Sequence, residues 1–180
     1  MPDTSDQEIL LLIRNESTRN RGFEILVRKY QQKVYYLIRR MVLSHDDADD
    51  ISQDVFVKVW ENIHNFREES KLFTWIYRIA TNEALNFLKQ SERKRIMSEG
   101  AGLPSTSVSQ DPYFSGDEIQ AKFYDAIRLL PPRQQLVFNL KYFEELKYEE
   151  ISDILNVSTG ALKASYHHAV KKIMNFLDPG

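Results

Sequence analysis

Apolar residues recur with the helical period along almost the whole chain, and one stretch interrupts them. That stretch, SEGAGLPSTSVSQDPYFSG (98–116), is rich in Gly, Ser and Pro and carries no basic residue. Such a composition reads as a linker. No segment shows the alternation of a convincing strand pair. The pattern predicts an all-α chain: two small helical domains joined by a flexible linker, residues 1–97 and 117–180. Apolar residues make up 42% of the 180, enough for two real cores and too many for wholesale disorder.

In the first half, Gly22 precedes FEILVRKYQQKVYYLIRRMV. Phe23, Val27, Tyr30, Val34, Leu37, Ile38 and Met41 form its apolar face. Ser44 is the expected N-cap of DDADDISQDVFVKVWENI, whose first-turn acids suit the helix dipole. Ile51, Val55, Val59 and Ile63 face its core, with Phe56 and Trp60 beside them. The connector HNFREES leads into KLFTWIYRIATNEALNFLKQSERKR. Leu72, Phe73, Ile76, Ile79, Ala80 and Phe87 fall on the inner face of that helix. Thr74, Trp75, Arg78, Thr81 and Asn82 fall outside.

In the second half, DEIQAKFYDAIRLL opens with acids and PPRQQLVFNLKYF opens with prolines, as helix starts do. KYEEISDILN ends on Asn156, which tolerates a left-handed turn. Ser158 then caps a last helix containing ALKASYHHAVKK (161–172). On a 100° wheel, Leu162, Tyr166, Ala169, Ile173 and Phe176 point inward, against Ile151, Ile154 and Leu155. Ala164, His167, His168 and Lys171 point outward, with Lys163 and Lys172 at the margins. A short helix, a tight turn and a helix with a small, polar outer face make a helix-turn-helix. A mildly basic helix that merely closes a bundle gives the same periodicity.

The candidate chemistry is binding chemistry. The chain has no cysteine, so thiolate metal sites and disulfides are excluded, and a reducing cytoplasm fits. His167 and His168 diverge by 100° on a helix and cannot easily hold one metal together; no metal and no cofactor is expected. The first residues lack the basic flank of a signal peptide, and no run reaches the roughly 20 apolar residues of a membrane span, so no membrane insertion is expected. Asp46, Asp49 and Asp50 share a helix face, and Gln53 and Asp54 extend it past the first turn, where dipole capping explains them less well. They could dock a basic partner, or hold Mg²⁺ as in a carboxylate-motif enzyme. Trp75, Arg78 and Asn82 beside a polar loop suit a single-stranded nucleic acid, whose bases stack on aromatic and guanidinium planes; Trp75 taken alone reads equally as a residue at the boundary of the core.

Two long segments resemble regions 2 and 4 of an extracytoplasmic-function (ECF) sigma factor of RNA polymerase. They are DDADDISQDVFVKVWENIHNFREESKLFTWIYRIATNEALNFLK and LPPRQQLVFNLKYFEELKYEEISDILNVSTGALKASYHHAVKKI. The resemblance implies a non-enzymatic initiation factor that binds core RNA polymerase and promoter DNA and is controlled by an anti-sigma factor. It implies a region 2 domain (1–97), a linker (98–116) and a region 4 domain (117–180). It puts Asp49, Asp50, Gln53 and Asp54 against the polymerase. It puts Asn65, Arg67, Ser70, Lys71, Thr74, Trp75, Arg78 and Asn82 at the minus-ten element. It puts Ser158, Thr159, Lys163, Ala164, His167, His168 and Lys171 at the minus-35 element. The apolar surface around Leu136, Phe138, Tyr142 and Phe143 would pack the second domain and meet the polymerase flap. Family members often carry arginines where Ala164, Ser165, His167 and His168 stand. Weak affinity for free DNA is therefore expected, with tethering by polymerase making up the difference. A two-part helix-turn-helix regulator with a ligand-sensing first half remains the main alternative.

Overall fold

The computed structural model describes residues 4–42, 44–98, 117–178 and 180. Among them every regular element is helical: α1 (Asp6–Arg14), α2 (Arg19–Met41), α3 (His45–Asn62), a 3-10 turn (Ile63–Asn65), α4 (Leu72–Met97), α5 (Glu118–Arg128), α6 (Pro132–Tyr142), α7 (Tyr148–Leu155) and α8 (Thr159–Leu177). The chain divides into two compact units, Met1–Glu83 and Ala84–Gly180. Apart from Ser98, the expected linker lies outside the described residues.

In the first unit, α1 is an element that the sequence pattern did not single out. Ser5 and Glu8 form a reciprocal capping box at its start, which satisfies two otherwise orphaned N–H groups. Ile9, Leu10 and Ile13 bury its inner face. Helix α2 begins at Arg19, so Gly22 lies inside it and is not its boundary. A Cβ on Gly22 would stand 2.8 Å from Leu12 Cβ and 2.9 Å from Ile13 Cγ1. The missing side chain is what lets α1 approach. The buried face of α2 is Leu26, Tyr30, Val34, Leu37, Ile38 and Met41. Phe23 and Val27, expected in that core, are only half-buried, because the α1 contact turns Gly22 and Leu26 inward. Ser44 caps α3 through Asp47 N–H at 3.2 Å, and Ile51, Val55, Val59 and Ile63 are buried as the wheel predicts.

The buried arc of α4 is wider than expected. Leu72, Ile76 and Ala80 are buried, and so are Thr74, Tyr77 and Thr81. Thr74 and Thr81 are therefore not on an outer face. A helical threonine can spend its hydroxyl on its own backbone and be buried without another partner. Thr81 Oγ1 donates to Tyr77 O at 2.8 Å and to Arg78 O at 3.2 Å. Phe73 and Ile79, expected inside, are half-buried.

In the second unit, Asp117 caps α5 through Gln120 N–H at 2.8 Å, and Pro132 opens α6. Asn156 ends α7 in the left-handed conformation, φ 53° and ψ 47°. Ser158 caps α8 through Ala161 N–H at 3.3 Å. The core gathers Ala126, Ile127, Leu130, Phe138, Ala169 and Ile173, with Leu136, Ile151, Ile154 and Leu162 also buried. Leu136 and Phe138 pack the second unit as expected and leave no surface for a partner; Tyr142 is exposed and Phe143 half-buried. Phe176, expected inside, is exposed, since α8 runs on past the helices that cover it. No described helix is long and apolar enough to cross a membrane.

Candidate polymerase and promoter interfaces

The acidic row lies along the exposed side of α3. Asp50, Gln53 and Asp54 are exposed and Asp49 half-buried. Asp49 Oδ2 lies 3.3 Å from His45 Nε2, and His45 Nδ1 shares a hydrogen bond with Tyr35 Oη at 2.6 Å. Partial burial raises the Tyr35 hydroxyl above its ordinary value; the Arg39 guanidinium opposes this, and the nearby Asp49 carboxylate adds a smaller push upward. So Asp49 is held by a side-chain relay to α2, not left loose in solvent.

Beside this row is a groove of about 850 Å³ between α2 and α3. Phe23, Val27, Tyr35, Tyr36, Phe56 and Trp60 give it an apolar wall, and Asp49 and Gln53 stand at its edge. Trp60 meets Phe23 edge-on at 4.8 Å and carries the Arg19 guanidinium over its ring at 4.4 Å. Sequence reasoning placed Phe23 and Val27 in the core and so missed the groove. Its signal was present: Phe23/Val27 on one helix and Phe56/Trp60 on the other are both i, i+4 pairs beside the main apolar stripe.

The loop between α3 and α4 is pinned at its base by buried rings and toward its tip by a bond to α1. Ile63 and Phe66 are buried, and the Phe66 ring packs on Trp75 at 5.2 Å. Glu68 adopts a left-handed conformation, φ 59°, and its carboxylate accepts a hydrogen bond from the Arg14 guanidinium of α1. Asn65, Arg67, Lys71 and Asn82 are exposed; Ser70, Trp75 and Arg78 are half-buried. Those seven leave at least part of each side chain on the surface around the loop. Thr74, only 5% exposed, does not, and drops out of the expected set. The bridge to Arg14 is a second feature that the sequence did not reveal, since ionic pairs far apart in sequence leave no periodic trace.

On α8, Ser158, Lys163, Ala164, His167, His168 and Lys171 are exposed and Thr159 half-buried. The His167 and His168 rings stand 6.1 Å apart. Lys163 Nζ lies 5.7 Å from the centre of the Tyr148 ring, on α7. Lys172 Nζ donates to Gln134 Oε1 of α6 at 3.0 Å, so it braces the unit as well as flanking the outer face. The expected helix-turn-helix is present, with Tyr148–Leu155 and Thr159–Leu177 as its two helices.

Residues 26–94 match the Sigma-70 region 2 family model and residues 120–173 match the Sigma-70, region 4 model. The RNA polymerase sigma-H factor of Pseudomonas aeruginosa is 30% identical, over 98% of this chain and 96% of its own. The ECF RNA polymerase sigma-E factor of Haemophilus influenzae is 31% identical, over 94% of each. Two solved structures share the fold. The sigma factor RpoE of Bartonella quintana, bound to the anti-sigma factor NepR, superposes with a TM-score of 0.71 at 22% identity, covering 86% of this chain and 96% of that one. CnrH, bound to the cytosolic domain of CnrY, gives 0.72 at 19% identity, covering 97% of both chains. Neither an enzyme nor a ligand-sensing regulator fits this set. The chain belongs to the extracytoplasmic-function sigma factors, initiation factors that bind core RNA polymerase and direct it to promoters.

Proposed function

We propose that each of three surfaces carries one step of initiation. Asp49, Asp50, Gln53 and Asp54, with the neighbouring groove, dock on core polymerase. Residues around the α3–α4 loop (Asn65, Arg67, Ser70, Lys71, Trp75, Arg78 and Asn82) hold a flipped base of the minus-ten element. The outer face of α8 (Ser158, Thr159, Lys163, Ala164, His167, His168 and Lys171) reads the minus-35 element. The observation that carries the docking step is the meeting of an acidic edge and an apolar wall in one groove. Such a surface offers a basic, partly apolar partner both burial and charge complementarity. The loop suits base capture for a different reason. A base leaving its stack needs a ring to rest on and hydrogen-bond donors off the duplex axis, and Trp75, Arg78 and Asn82 supply these beside the loop.

On this reading residues 1–97 are the region 2 domain, 98–116 the linker and 117–180 the region 4 domain. The protein works in the cytoplasm, with polymerase and DNA. Control by an anti-sigma factor is supported by the two fold relatives, each solved with such a partner or with the cytosolic domain of one further protein. Reconstituted transcription tests the whole scheme. Asp49→Ala with Gln53→Ala should lose core binding and all initiation. Lys163→Ala, His167→Ala and His168→Ala together should keep core binding and lose preference for the minus-35 sequence. If the triple variant keeps that preference, α8 is not the reader.

A further inference from the structure

We propose that Arg14 is a positioning residue for the minus-ten loop, and that α1 is the strut that carries it; this rests on the reading of that loop given above. Helix α1 is fixed along its length. The Asp6 carboxylate accepts from the Tyr30 hydroxyl at 2.8 and 2.9 Å and pairs with Lys29 Nζ at 3.1 Å. Lys29 Nζ also donates to Thr4 O at 2.8 Å. At the other end Thr18 Oγ1 donates to Leu12 O at 2.8 Å, and Gly22 lets α2 close on Leu12 and Ile13. Arg14 is the last residue of this fixed element. Its guanidinium reaches the Glu68 carboxylate, 54 residues away in sequence.

Glu68 is where the loop needs help. A left-handed glutamate costs roughly 1–2 kcal/mol over the right-handed form, so its conformation persists only where neighbours hold it. It also sits next to Glu69, and two free carboxylates at the loop tip would repel an incoming phosphate backbone. The Arg14 bond answers both needs. It fixes the tip of the loop and neutralises one of its two acids, leaving Arg67, Ser70 and Lys71 to face the strand.

The test uses holoenzyme assembled from the full chain and its core polymerase. The probe is a single-stranded non-template oligonucleotide from a promoter that the wild-type holoenzyme selects out of a randomised library. Arg14→Gln should weaken binding about two- to fivefold, the range of an exposed ion pair, with core affinity unchanged. In a Glu68→Ala background, which removes the acceptor, the same substitution should cost nothing, because the pair is already broken. The salt dependence of binding should keep its slope, whereas a lost phosphate contact would lower it by about 0.7. An equal loss in both backgrounds, or a reduced slope, means Arg14 touches DNA itself and overturns the proposal. No loss from Arg14→Gln overturns it too. Asn65→Ala and Lys71→Ala in the same assay separate the two failures: if they weaken binding where Arg14→Gln does not, only the strut is wrong. If they also change nothing, the loop is misassigned and the strut falls with it.

Discussion

Gly22 is the residue whose role changed most between sequence and structure. Read as a helix boundary, it proves to be the contact point of two helices. Its ideal Cβ would lie within 2.9 Å of Ile13 N as well as of the Leu12 and Ile13 side chains. Backbone cannot yield as a side-chain tip can. Gly22→Ala should therefore destabilise the protein by roughly 1–3 kcal/mol, the cost of forcing volume into a packed site, despite alanine's better helix propensity. Urea denaturation followed by circular dichroism reads this directly; a gain in stability would mean that α1 separates from α2 easily. Thr74 and Thr81 make the opposite case. Both looked like outer-face donors and both are buried. Thr74→Val and Thr81→Val should leave minus-ten preference within about twofold of wild type, while Asn82→Ala should shift it. A change of preference in either valine variant would show that α4 opens during promoter melting.

At the scale of elements, legibility followed locality. The caps at Ser44, Asp117 and Ser158 and the turn at Asn156 all rest on chemistry within four residues, and sequence reasoning found Ser44, Ser158 and Asn156. The outward face of α8 was equally readable, because one wheel sorts Leu162, Ala169 and Ile173 from Lys163, His167 and His168. What was not readable depended on a second element. The α2–α3 groove exists because α1 rotates Phe23 and Val27 out of the core. The wide buried arc of α4 depends on what covers it. Packing within the second unit also makes a prediction. Tyr166 of α8 stacks on Phe138 of α6 at 5.7 Å and meets Tyr148 of α7 at 6.4 Å. Burial first, and the neighbouring Tyr148 and Tyr142 next, push its hydroxyl above the ordinary value of 10.0. A raised tyrosine pKa means the folded state holds its proton longer than the unfolded chain does. Stability should then be unaffected by this group below the ordinary tyrosine range and fall as pH rises through it toward the folded value. Tyr166→Phe should flatten part of that alkaline decline in a denaturation series from pH 8 to 11. An unchanged decline would assign it to other groups.

At the scale of the whole molecule the question is where affinity for DNA comes from. The chain has 24 cations against 26 acids, so no general positive field draws it to DNA. The proposed reader helix presents few cations. Lys163 and Lys171 are exposed, and Lys172 is engaged with Gln134. Each phosphate neutralised contributes about 0.9 to the salt slope on duplex DNA. If Lys163 and Lys171 are the principal phosphate contacts, the free chain should bind a minus-35 duplex with a slope of only about 2. Its affinity should be correspondingly poor. Docked on polymerase, the same helix acts at a high effective concentration, which raises apparent affinity by roughly 10²–10⁴-fold without any new contact of its own. Specificity can then rest on small and hydrogen-bonding residues such as Ala164, His167 and His168, because they need not supply the affinity as well. Fluorescence anisotropy of one minus-35 duplex, titrated with free chain and with holoenzyme across a salt series, measures both numbers. A free chain that binds tightly with a slope near 6 would mean that the DNA-binding surface extends well beyond α8, and the tethering argument would then be unnecessary.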